Sequence, residues 1–240
     1  MIDPLYQVEK TCPICEKNFK LTKTRGQAVA ISTDTDFCTH FRDLNPYYYT
    51  IWVCPHCGFA AHEERFFTLL EGARAKLKEF LTGRQVSLDL SGPRTWEQAV
   101  TSYKLAIFYA GMIGLPSSHI ASLELRMAWL YREKEMEKEE AEMLNRAVKN
   151  YEEAFMREKT PIGTLTEVTL LYIVGELLRR TGRYDEALSY LSRVVGNPQA
   201  KNEKRVLEMA RDAWKITRDA KKAAETEPET ATGKSGDATE

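Results

Sequence analysis

Two short cysteine pairs constrain this chain more than any other feature. Cys12-Pro-Ile-Cys15 and Cys54-Pro-His-Cys57 are separated by residues 16–53, and together with Cys38 they account for all five cysteines. A C-x-x-C turn places two sulfurs on one side of a tight loop, as two corners of a tetrahedron, and a second such turn completes it. Where thiols are kept reduced, clustering of this kind points to a metal or redox centre rather than to disulfides. The intervening sequence suits short strands: 18–21 after the first pair, 27–32 alternating through Val29 and Ile31, and 48–53 running into the second pair. Residues 1–60 are therefore expected to form a small β zinc ribbon with Cys12, Cys15, Cys54 and Cys57 as metal ligands.

Four thiolates suit Zn2+, but a rubredoxin-like iron centre is built from the same two turns. Gly58 follows the second pair, whereas Glu16 follows the first. If that position needs a left-handed backbone, a non-glycine residue there costs on the order of 1 kcal/mol, which favours zinc over iron. Four sulfurs leave no coordination position for water, so the centre is expected to be structural rather than catalytic. Cys38 and His40, in DTDFCTH, have two readings. They are accessory groups, an exchangeable ligand or reactive thiol near the metal, or Cys38 is a small buried residue beside Phe37 and Phe41. His56 is expected on the exposed part of its turn, and His62 and His119 in helices.

From Ala61 the period changes. Phe66, Phe67, Leu70, Ala73, Leu77, Phe80 and Leu81 follow one helical face. Residues 82–94 read as a loop, 95–113 as a helix, and 114–118 as a break with Ser117 or Ser118 capping the next helix. A triad then recurs: Ala99, Tyr103 and Ala106; Ala147, Tyr151 and Ala154; and, more loosely, Ala187, Leu191 and Val194. Around the third copy, Gly175, Gly182, Tyr184 and Ala187 have the spacing of a tetratricopeptide repeat, whose period is about 34 residues, and residues 168–201 resemble that family. The earlier copies are degenerate and more widely spaced. Residues 201–222 form one more amphipathic helix that would shield the end of a helical array. The expected architecture is mainly α: a tetratricopeptide-like helical array over 61–222, preceded by the ribbon and followed by a disordered acidic tail, 223–240.

Charge narrows the function classes. The first 60 residues are neutral, with six basic and six acidic residues, and 61–222 carry 27 against 24. Nucleic-acid binding draws its affinity from a basic excess that is missing here. No apolar run reaches the ~20 residues that span a bilayer, and MIDPLYQVEK does not resemble a secretory signal, so a cytoplasmic protein is expected. No Ser/His/Asp arrangement, Gly-rich phosphate loop or H-E-x-x-H occurs, which points away from an enzyme. The leading expectation is a zinc-stabilised protein–protein interaction module that holds a peptide or helix of another protein in a groove, with Tyr172, Glu176, Arg179 and Arg180 on it. The alternative is an iron redox or metal-transfer protein with Cys38 as accessory thiol.

CPIC, DTDFC and NPYYYTIWVCPHCGFAA, joined to these helices, resemble an uncharacterised bacterial family catalogued as a domain of unknown function. The resemblance covers most of residues 10–220 and is most specific over 34–61. It implies that the four paired cysteines match the family's motifs and that Asp36-Phe37-Cys38 belongs to its pattern. It brings no activity with it.

Overall fold

The structure, a computed structural model, describes residues 3–26, 28–84, 86 and 89–226, and the chain divides between Thr166 and Glu167 into two compact units. The first unit begins with three antiparallel strand pairs. Strands β1 (Leu5–Thr11) and β2 (Asn18–Thr24) pair in unbroken register from Leu5↔Thr24 to Thr11↔Asn18 around the first cysteine turn. Strands β3 (Ala30–Thr33) and β4 (Thr39–Phe41) pair with a register irregularity between Ala30 and Ser32. Strands β5 (Ile51–Val53) and β6 (Ala60–His62) pair around the second cysteine turn. Gln27, the first residue of one expected strand, lies outside the described residues.

The expected strand over 48–53 is only three residues long. Pro46–Tyr49 is a 3-10 turn, opened by the Asn45 side chain accepting from the Tyr47 N–H, with proline at its first positions. The helix expected from Ala61 also starts later. Ala60, Ala61 and His62 pair with β5, and α1 spans Glu71–Leu81. The Cys54 N–H donates to the Phe59 carbonyl at 2.9 Å, so the second turn continues as a hairpin and leaves no room for a helix start. Phe66, read as part of the helical face, instead fills the core of the N-terminal β region. It has no exposure, and its ring lies 4.9 Å from Phe59, 5.7 Å from Trp52 and 5.9 Å from Phe19. His62 likewise ends a strand. It sits edge-on to His119, and burial lowers its pKa to about 4, so it is neutral.

Helices α2 (Trp96–Met112), α3 (Ser117–Glu133) and α4 (Glu137–Arg157) complete the unit. Thr95 caps α2 in a reciprocal box with Gln98. At α3 the expected serine cap is absent. Pro116 stands at the cap position, and the Ser118 N–H and hydroxyl instead donate to Glu158. The periodic triads are core: Ala99, Tyr103 and Ala106 on α2 and Ala147, Tyr151 and Ala154 on α4 are all buried. Tyr103 also explains the first triad's polar tip. Its hydroxyl lies 2.8 Å from Thr50 Oγ1 and donates to the Tyr47 carbonyl, fixing α2 to the N-terminal β region.

In the second unit α5 (Glu167–Arg180), α6 (Tyr184–Gly196) and α7 (Lys204–Thr226) pack in succession. Gly175 is the contact point of α5 with α6. A methyl group there would lie 2.9 Å from Leu191 Cγ, so the helices approach as closely as they do only because it is glycine. Ala187, Leu191 and Val194 have no exposure. Helix α7 runs four residues beyond the expected end at 222, and 227–240 lie outside the described residues. Among the described residues, no helix is long and apolar enough to cross a membrane.

Candidate metal centre

The two cysteine turns are built alike. In the first, the Cys12 N–H donates to Lys17 O and the Glu16 N–H to Cys12 O, both at 3.0 Å. In the second, the Cys54 N–H donates to Phe59 O at 2.9 Å and the Gly58 N–H to Cys54 O at 2.8 Å. Each turn closes on a left-handed residue: Gly58 at φ +76° and, in the matching place, Glu16 at φ +60°. The position after the pair therefore does need positive φ, and Glu16 occupies it at a cost glycine would not incur. Backbone N–H groups also point at the sulfurs, as from Ile14 to Cys12 Sγ at 3.4 Å.

Strand register brings the turns together. All four Sγ atoms lie within 4.8 Å of one another, with Cys12–Cys57 and Cys15–Cys54 both at 3.7 Å. Sulfurs bound at about 2.3 Å to one tetrahedral ion are about 3.8 Å apart. The cysteines are free, and three of the four are buried. The Cys12 hydrogen bond pulls Cys54 down to about 2, while Cys54 pushes Cys12 up to about 12 and Cys12 pushes Cys57 upward. Of these three, the Cys54 thiolate is held by its neighbours' protons while Cys12 and Cys57 resist ionising, an arrangement a divalent ion relieves by displacing those protons. The donor set thus fits a metal with four protein ligands and no open position. His56 is exposed on the turn as expected, its Nε2 3.0 Å from the Asn18 carbonyl.

Cys38 is not part of this group. It is buried at 4% exposure and clusters with Asp34 and His40 on the β3–β4 turn. The physical core of that turn is Asp36, whose importance the spacing of cysteines alone does not reveal. Fully buried, it accepts from Arg132 Nη1 (3.0 Å) and Nη2 (2.7 Å) and from Trp129 Nε1 (3.0 Å), all on α3. Arg132 also reaches Asp34 at 2.7 Å and Glu140 at 2.8 Å. Burial works against the Asp34 charge, but His40 and Arg132 outweigh it and keep its carboxyl below the usual range. DTDFC is therefore a plug that docks the hairpin on α3. A second polar anchor was also hidden in an expected loop. Arg94, 7% exposed, donates to the carbonyls of Tyr48, Ile51 and Leu90, and burial lowers its pKa to about 10.

The four residues expected on a partner groove sit differently. Tyr172 and Glu176 have no exposure, which removes them from an open surface. Arg179 and Arg180 are about a fifth exposed and donate to Glu176, at 2.6 Å and 2.9 Å. The analogy with the repeat that suggested a groove here carries no information about what covers that face.

A family model described as "uncharacterized protein conserved in bacteria (DUF2225)" matches residues 5–217, and the chain belongs to that family. No curated protein and no solved structure matches it.

Proposed function

We propose that this bacterial family member is a zinc-stabilised protein-interaction module of the cytoplasm, in which a metal-held ribbon braces the helices of its own unit and tetratricopeptide-like helices follow in the chain. The observation that carries this reading is a concave face on the first unit, of about 530 Å³. Lys104 and Phe108 of α2 form one wall, Glu142 and Arg146 of α4 the other, and Met127 and Tyr131 of α3 the floor. Phe108 is 51% exposed, a large apolar group at the rim of a surface otherwise mixed in charge. An apolar floor between charged walls of both signs suits the apolar face of a partner helix whose flanks carry both charges. This moves the expected groove from α5 to α2–α4. Zinc is preferred because a closed set of four thiolates suits a structural zinc, and because Glu16 rather than glycine stands at the left-handed position that closes the first turn. Iron keeps support from one feature, the sulfur-directed N–H groups present in both turns.

A photoreactive residue at position 108, introduced in the native bacterium, tests the groove. The reading expects one dominant protein adduct there and none at Met156, which is 75% exposed on the same unit. It expects a Lys104→Glu, Arg146→Glu double variant to lose that adduct. Equal labelling at 108 and 156 would refute the groove. Colour separates the metals: the zinc protein is colourless and a four-thiolate iron centre is red.

A further inference from the structure

We propose that the β3–β4 turn carries a second, exchangeable binding site for a thiophilic divalent cation such as Zn2+, with Asp34, Cys38 and His40 as its protein ligands. One donor atom from each residue lies within 4.8 Å of the other two, and His40 Nε2 is 3.0 Å from Asp34 Oδ2. Donors around one tetrahedral zinc lie about 3.3–3.6 Å apart for nitrogen, oxygen and sulfur ligands. Small side-chain rotations therefore bring the three onto one ion. Thiolate, imidazole and carboxylate together select zinc-like ions over magnesium or calcium, which take oxygen ligands alone.

The backbone holds the ligands in place. The Asp34 N–H donates to Cys38 O at 2.8 Å and the Phe37 N–H to Asp34 O at 3.0 Å. Phe37 adopts φ +69°, a conformation an aromatic residue rarely takes. That strain is held by Asp36, which is clamped to α3 through Arg132 and Trp129. The turn is thus fixed in the one shape that converges Asp34 and Cys38.

Charge favours a cation. Arg132 contacts three carboxylates, Asp34, Asp36 and Glu140, so the cluster carries two more negative charges than positive ones. Arg132 keeps its bond to the Asp34 carboxylate as an outer-shell partner, of the kind that orients metal ligands elsewhere. A cavity of about 110 Å³ borders Cys38 and His40, walled by Phe41, Tyr47 and Trp129 with Glu133 at its edge. It has room for a water or one small ligand beside two of the three ligands, Cys38 and His40. The four-sulfur centre is closed and this one is open, so its ion exchanges more readily.

The test uses the full chain with its four-cysteine centre filled and loose metal removed, titrated with Co2+ alone and followed by absorption. The proposal expects one further equivalent, with a thiolate-to-cobalt band in the near ultraviolet. Cys38→Ser loses that band. His40→Gln, at a side chain 40% exposed and tolerant of change, weakens the step at least tenfold while the first centre keeps its metal. Titration that ends without a further equivalent would overturn the site. So would a further equivalent with the same affinity and spectrum in both variants.

Discussion

Among the described residues, the ladders of the N-terminal β region have two strands each and the longest pairs seven residues, whereas α5 in the second unit buries ten of its fourteen. Two-stranded ladders are marginal in water, so the ribbon needs more than its hydrogen bonds. It gains order from directed contacts: sulfurs brought to one point, Asp36 clamped by Arg132 and Trp129, Arg94 donating to three carbonyls. The helices gain order from apolar area and close approach, as at Gly175 against Leu191. The difference teaches where each region is fragile: the ribbon fails when one polar partner is removed, the helices when one volume changes.

The largest effect should come from the metal centre. Structural zinc contributes about 10 kcal/mol or more to small metal domains. Cys54→Ser, or a strong chelator, should unfold the ribbon, read as loss of the near-ultraviolet signal of buried Trp52 together with metal release. A metal-free ribbon with unchanged near-ultraviolet signal would break the comparison. Asp36→Asn comes next. It leaves Arg132 and Trp129 around a neutral amide, and breaking a buried ion pair costs about 3–5 kcal/mol. Denaturant titration should show that loss; a change under 1 kcal/mol would mean that the DTDFC turn is not an anchor.

Gly175→Ala tests the other region. The added methyl meets Leu191, and overpacking of this kind costs about 1–3 kcal/mol. The metal content should not change. The smallest effect has the opposite sign: Glu16→Gly relieves a left-handed residue and should stabilise the metal-loaded ribbon by up to about 1 kcal/mol in a thermal melt. Glu16 is exposed, so the gain belongs to the backbone. A loss instead of a gain would mean that its contact with Lys78 outweighs the strain.

How legible this was in the sequence follows the same division. The four cysteines carry their own geometry in their spacing, and Glu16 already pointed to a strained backbone. The helical triads encode burial through period, and all nine positions are core. Strand pairing was harder, because Ala60, Ala61 and His62 have no β preference and become a strand only through β5 beside them. Asp36 and Arg94 were unreadable as anchors, since their partners lie 96 and 43 residues away. The exposure of Tyr172 and Glu176 could not be read either, because periodicity assigns a face and not its cover.

The central claim, that four sulfurs hold one ion and the ion holds the ribbon, is tested most directly by X-ray absorption at the metal edge of the purified protein. The account predicts one ion per chain surrounded by four sulfurs at about 2.3 Å, with zinc as the absorbing element. A first shell with two or fewer sulfurs, or cysteines joined as disulfides with no metal present, would contradict it.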